Sequence, residues 1–350
     1  MTAANETPRS ARPAATGASA GGGPVAPSAV RPFLIRRTSQ GLITLLAASV
    51  LVFLAVSVLP GSPAAAVLGR HAKPALLARI DHQLGYDRPV PERYLDWLSE
   101  LAQGDLGQSS IGLAQGKQSA PVWPLVRPRL VNTAILAAIT IALLIPLSLF
   151  LGVMAGVSAG RWRDQVISTT ALIFTALPEF VVGSLVIVVF FVWLDLLPPV
   201  SLVEPGETPL AHPDILVLPV LTLLGVSVAA TARLVRVGTI EVLRSAYVET
   251  ARLAGISERR VLRRYVLRNA LAPSVQIFAI SIQYLFGGVI VTEAVFGYPG
   301  LGSELVSAVS SHDNTVVLAI AVILAAIYIS INVIADLLVI LLVPKLRTQG

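Results

Sequence analysis

Residues 156–160 read GVSAG, the G-x-S-x-G spacing that in a nucleophile elbow lifts a serine hydroxyl toward a histidine base. That chemistry needs a strand before the serine and a histidine beside it. Here the motif closes a long apolar run, and the histidines, His71, His82, His212 and His312, are scattered singly in segments assigned to the opposite side of a membrane. A helix end built of small residues accounts for it better. Residues 112–119, GLAQGKQS, approach a phosphate loop at Gly116 and Lys117, but Gln118 replaces the metal-binding Ser/Thr and Ile111 replaces the first glycine. No H-E-x-x-H spacing occurs, and with no cysteine there is neither a thiolate metal site nor a thiol nucleophile. No catalytic, cofactor-binding or metal-binding set is therefore expected.

Three acids interrupt apolar runs, where a charge is costly and faces a cavity or a partner. Glu179 follows Pro178 in the middle of one run, and the proline removes a helix donor and frees a carbonyl. Glu293 and Asp336 lie nearer helix ends, where polar neighbours are the simpler explanation. Glu179 supports two readings, a structural hydrogen bond or a group lining a transport pathway, and Pro178 belongs with it. A proton-coupled secondary transporter would also use such acids.

These residues sit in a chain of 350 residues that is 55% hydrophobic and 13% charged, with mean hydropathy +0.77, which excludes an ordinary soluble protein. A net charge of +6 points away from nucleic acid here, because the arginines cluster at the ends of apolar runs. A bilayer core about 30 Å thick needs roughly 20 apolar residues per helix. Six spans meet that criterion: 40–60, 130–158, 166–194, 214–232, 272–296 and 315–343. Residues 1–30 are rich in Ala, Gly, Pro and Ser and are expected to form a disordered cytoplasmic tail. The run after it is longer than a signal-peptide core and reads as a retained anchor.

Arginine counts orient the spans. Arg31, Arg36 and Arg37 precede the first, Arg161 and Arg163 follow the second, nine arginines fall between residues 233 and 271, and Lys345 and Arg347 follow the last. The segments 196–214 and 297–314 carry neither Lys nor Arg. Both termini and the 233–271 loop are thus expected in the cytoplasm. Residues 61–129 form an external cap, with two short helices split at GYDRPVP; residues 31–60 hold the first span and 130–350 the remaining five.

The 233–271 loop is too charged to span and too apolar to be loose. Val242, Leu243, Tyr247, Ala251, Ala254, Val261, Leu262, Tyr265 and Val266 recur at amphipathic-helix spacing. Gly255 reads as a helix stop, and Ser257 as the N-cap of a second helix flanked by Arg259, Arg260, Arg263 and Arg264. Spacing supports equally a helix lying on anionic headgroups and one presented to a cytoplasmic partner.

Glu249, Ala251 and Gly255, in ETARLAG, look like the E-A-A-x-x-x-G signature in the cytoplasmic loop of permease subunits of ATP-binding-cassette importers. AYVETARLAGISERRVLRRYVLRNALAP is similar to that loop in the dipeptide/oligopeptide/nickel permease family, first-permease type, a binding-protein-dependent inner-membrane component. FLIRRTSQGLITLLAASVLVFLAVSVLPGSPA, LGYDRPVPERYLDWLSELAQGDLGQS, TEAVFGYPGLGSELVSAV and NVIADLLVILLVPKLR resemble its other segments in order, covering residues 32–348. The resemblance implies an all-α integral membrane protein with six transmembrane helices, in the type I importer permease fold with a coupling helix and a small external segment. It implies a bacterial inner-membrane importer of di- or oligopeptides, with this non-enzymatic chain forming half the pathway. A nickel chelate, haem or glycoside is the alternative solute, and an ion-coupled secondary transporter a more distant reading.

The implied partners are a second permease, two cytoplasmic ATPases that bind the ATP, an external solute-binding protein and the lipid bilayer, with no cofactor in this chain and no nucleic acid. Glu249, Ala251, Gly255, Arg259 and Arg260 would make the ATPase joint. Two departures stand out. The general signature continues toward Ile-x-Leu-Pro, whereas this chain has Tyr265 to Arg268 with its proline at Pro273, and Glu179 stands where the family tends to have a small or polar residue.

Overall fold

The computed structural model describes residues 27–58, 87–204 and 206–342, with Ala75, Ala78, Arg79 and His82 described singly between the first two stretches. Helix α1 (Pro27–Val58) begins inside the stretch read as tail, so residues 27–30 are helical; the rest of that stretch lies outside the described residues. Of the two external helices, α2 (Val90–Ala102) follows Pro89, and the earlier one falls largely outside the described residues. A short α3 (Ser110–Ala114) precedes α4 (Val122–Val157), the second span, which begins eight residues ahead of the expected boundary at residue 130.

The third span is two helices, α5 (Trp162–Ala176) and α6 (Glu179–Ile187), the latter continued by a π-helical turn over Val188–Trp193. The sequence places one span over residues 166–194, but the chain bends by 107° between its two halves. The reason is local. Leu177 and Pro178 are both extended, with ψ of 135° and 147°, and Pro178 has no N–H to carry the ladder across. Helix α6 restarts when the Pro178 carbonyl accepts from Val181 and Val182 at 3.0 and 3.1 Å.

Helix α7 (Asp214–Leu243) is the fourth span and the centre of the bundle. It runs into a hairpin of α8 (Ala246–Leu253) and α9 (Glu258–Arg260), and a π turn over Val261–Val266 leads into α10 (Leu267–Phe296), the fifth span. A shorter helix α11 (Leu301–Ser310) then precedes α12 (Asn314–Leu342), the last span. Among the described residues five helices are long and apolar enough to cross a membrane, six spans when the bent pair is counted as one. No strand occurs among the described residues.

Without a hydrophobic drive between helices in lipid, close backbone approach supplies the packing. Gly152 and Gly156 on α4, a G-x-x-x-G pair, meet α7 so closely that a Cβ at either would lie 2.6 or 2.7 Å from Val235 or Thr239. Thus the apparent nucleophile elbow contributes a packing glycine, and its Ser158 hydroxyl donates to the Met154 carbonyl at 2.6 Å. Leu136, Leu144, Leu223, Leu285 and Val289 fill the core between α4, α7 and α10. On the opposite flank α1 pairs with α12, and α2 lies across both: Trp97 packs on Phe53, Leu318 and Val322, and the Tyr94 ring meets Phe53 edge-on at 5.3 Å.

Candidate functional site

The hairpin between the fourth and fifth spans is built around its turn. Gly255 has φ +75°, the left-handed conformation that glycine adopts without a Cβ penalty. Its N–H donates to the Arg252 carbonyl at 3.0 Å, and the Ile256 N–H reaches back to Ala251 at 3.2 Å, the paired bonds of a Schellman turn. Ile256 completes it by packing on the buried cluster of Val248, Ala251, Val261 and Val266. Across the turn, Arg252 grips Glu258 at 2.7 and 3.2 Å. Ser257 takes the N-cap position and its extended backbone, but its hydroxyl makes no capping bond.

The inward face of α8 departs from the expected one at Tyr247 and Ala254. Val248 and Ala251 point into the hairpin, whereas Tyr247 and Ala254 are exposed. Ala251 therefore packs within its own chain and leaves no gap for a partner backbone. Glu249 and Leu253, four residues apart and so on one side of α8, face outward, with Leu253 83% exposed. Arg259, Arg260, Arg263 and Arg264, in the second arm of the hairpin, are all exposed. A Cβ at Gly255 would meet open space, so only its backbone conformation demands glycine.

At the broken span, Pro178 is exposed and Glu179 half-buried as the first residue of α6. The Glu179 carboxylate lies against Gly288 of α10, where any Cβ would overlap it. Among the described residues it has no hydrogen-bond or ion-pair partner. One turn before Gly288 on α10, Tyr284 is 79% exposed and helps line an open cavity of about 620 Å³ between α10 and α12, with Gln283, Gly287, Leu324 and Tyr328.

Glu293 and Asp336 both have polar partners, as their positions suggested. Glu293 is fully buried and accepts from the Thr133 hydroxyl and the Gly302 N–H, each at 2.6 Å, which holds the first turn of α11 to the end of α10. Asp336 pairs with Arg37 at 3.1 Å. Two polar knots escaped the reading of the sequence. Asp313 holds the segment at Ser109 and Ser110 to α12 by accepting from Ser109 Oγ at 2.5 Å and Ser110 N–H at 3.1 Å. Asp164, on α5, accepts both forks of Arg236 on α7, at 2.5 and 2.7 Å. The signal for the second is a lone acid next to Arg161 and Arg163, and the sequence offers Arg236 only as an orientation charge.

This bundle, with a broken third span and a structured loop between the fourth and fifth, is that of a transporter's membrane component. The chain belongs to the family described as binding-protein-dependent transport system inner membrane component, whose model matches residues 148–348, with the amino-terminal model of the same component matching residues 30–137. It is 34% identical to the glutathione transport system permease protein GsiC of Pectobacterium atrosepticum over 90% of this chain and 98% of the relative. It is equally similar to the protein of that name from Escherichia coli. The probable peptide ABC transporter permease protein y4tP of Sinorhizobium fredii is 30% identical over 90% of this chain and 99% of its own length. The chain is thus a multi-pass inner-membrane permease and not an enzyme; in this family ATP is bound by partner subunits.

Proposed function

We propose that this permease imports di- or oligopeptides, forming half of a translocation pathway completed by a second permease. Two cytoplasmic ATPases and an external solute-binding protein complete the importer. The substrate class rests on relatives named for glutathione and peptides. Both termini lie in the cytoplasm on this reading, residues 61–129 form the external cap and 233–271 the coupling loop, in keeping with the arginine distribution.

The observation that carries the coupling role is the outward face of the hairpin. Leu253 is an exposed leucine on a short helix closed by a Schellman turn and an ion pair, with exposed arginines in the other arm of the hairpin. Leu253 and Glu249 seat in a groove of the ATPase, Arg259 and Arg260 meet acidic groups at its rim, and Ala251 and Gly255 hold the hairpin's shape. Closure of the ATPase pair on ATP then moves the hairpin, and the bundle follows because the contacts differ between the two states. Pro178 and Glu179 line the pathway at the break.

The test is Gly255→Trp, which puts a bulky side chain at a left-handed residue beside the outward face. Membrane insertion is expected to persist while ATPase assembly, or uptake per ATP hydrolysed, is lost. Wild-type uptake by this variant would remove the docking assignment.

A further inference from the structure

We propose that the Asp164–Arg236 ion pair is a positioning link that carries motion of the cytoplasmic hairpin to the break in the third span. Three observations meet there. First, Asp164 is buried at 4% exposure and all its acceptor capacity is committed: Gly160 N–H at 2.9 Å, Ser168 Oγ at 3.0 Å, and the Nε and Nη2 of Arg236 at 2.5 and 2.7 Å. A two-pronged guanidinium contact fixes orientation as well as distance. A buried pair of this kind adds little net stability over apolar packing, so what it contributes is geometry.

Second, Arg236 lies seven residues before Leu243, about 10 Å along α7 from the start of the hairpin. Displacement of the hairpin therefore reaches Arg236 through two turns of continuous helix. Third, α7 touches the broken span on both sides of the break. It meets α5 at Asp164 and again where Phe174 lies over Gly225, and it meets α6 where Gly183 faces Thr222. Helix α6 is also seated on α10, through Glu179 at Gly288 and through Gly183 against Val295 and Phe296. With α6 anchored to a second helix, a shift of α7 turns α5 against α6, and the extended Leu177–Pro178 pair absorbs the change. The fork at Asp164 makes α5 follow α7 instead of sliding past it.

The inference rests on the reading that the hairpin docks on the ATPases, and its test is separable from that reading. The chain has no cysteine, so Leu177→Cys gives it a single thiol at the break. The importer, assembled with its partner subunits in proteoliposomes, is treated with a maleimide without nucleotide and with ATP plus vanadate, and modification of residue 177 is read by mass spectrometry. With the pair intact, the rate is expected to change about fivefold or more between the two conditions. Asp164→Asn and Arg236→Lys, the latter keeping the charge but losing the fork, are each expected to abolish the change while ATPase subunits still co-purify. An unchanged nucleotide response in both variants overturns the proposal, as does a flat response with the pair intact. Loss of assembly in both also overturns it, since the pair would then serve the fold. Failure of the docking reading shows separately, as full assembly and uptake by Gly255→Trp.

Discussion

The Thr133 hydroxyl donates to the buried Glu293 carboxylate at 2.6 Å while accepting from the Leu301 N–H at 2.8 Å. One side chain thereby joins the second span, the exit of the fifth and the first residue of α11. Tyr298 and Asn132 reinforce the joint, each reaching the other strand of the connection, at 2.8 Å to the Asn132 carbonyl and 2.9 Å to the Pro299 carbonyl. Burial pushes the Tyr298 phenol well above its ordinary range, so it remains a donor at any physiological pH.

Thr133→Val keeps the shape of the side chain and removes both bonds, leaving a buried N–H and a buried carboxylate oxygen unsatisfied. The expected loss is about 1–3 kcal/mol, more than a surface substitution would produce. Thermal unfolding of the detergent-purified protein should show a lowered midpoint, and Thr133→Ser should recover most of it. An unshifted midpoint for the valine variant would mean that the network is not holding the joint.

At Gly152, leucine would drive its first carbon into Val235 and the Ala232 carbonyl, with approaches of 2.6 and 2.7 Å. Backbone cannot yield as a side-chain tip can, so spans two and four must separate, at a cost of about 1–3 kcal/mol or more. Gly160→Ala is the control: its Cβ would meet open space, and its φ of +77° costs only about 1 kcal/mol. Equal unfolding midpoints for the two variants would argue against close packing at Gly152.

The Arg252 guanidinium holds the Glu258 carboxyl below the usual carboxylate range, and Glu258 raises Arg252 in turn. A carboxyl that titrates lower in the folded hairpin than in the unfolded chain stabilises it fully above the unfolded pKa. That contribution is lost as the pH falls through the depressed folded value. Both groups are well exposed, so the effect is small and screened by salt. Hydrogen exchange at residues 252–258, corrected for intrinsic rates, should rise by about twofold on acidification through that range. Glu258→Gln should show the faster exchange already at neutral pH, and a pH-independent difference from wild type would contradict the assignment.

Glu179→Gln replaces the unpartnered carboxylate at the break with a neutral group of the same size. If Glu179 lines the pathway, uptake across a panel of peptides differing in charge should change by about tenfold for some members and little for others. Uniform, wild-type uptake across the panel would return Glu179 to a purely structural role.

Most of the bundle was legible because each span must supply its own run of about 20 apolar residues, whatever its neighbours. The break was visible as Pro178, but not its angle, which depends on how Phe174 and Gly183 seat on Gly225 and Thr222 of another helix. In the hairpin, Gly255 and Ser257 marked the stop and restart correctly because backbone conformation is a local property. Its inward register was misread because an eight-residue helix has only two strongly inward positions, and Tyr247 tolerates exposure as well as burial. Asp164 and Arg236 lie 72 residues apart, and nothing in either's local surroundings announces the other. Gly152 and Gly156 carry a spacing signal of their own, and reading the second as part of a helix end of small residues leaves out the partner helix that they meet.

The gap between α5 and α6 also says which way this subunit faces. Hydrocarbon tails offer no hydrogen-bond donors, so irregular backbone at membrane depth persists only where protein covers it or water reaches it. Pro178 is exposed on this chain and stands beside the ionisable Glu179. On the reading that the break lies at membrane depth, that side of the molecule is one that water or a neighbouring subunit covers, and lipid meets other faces of the bundle.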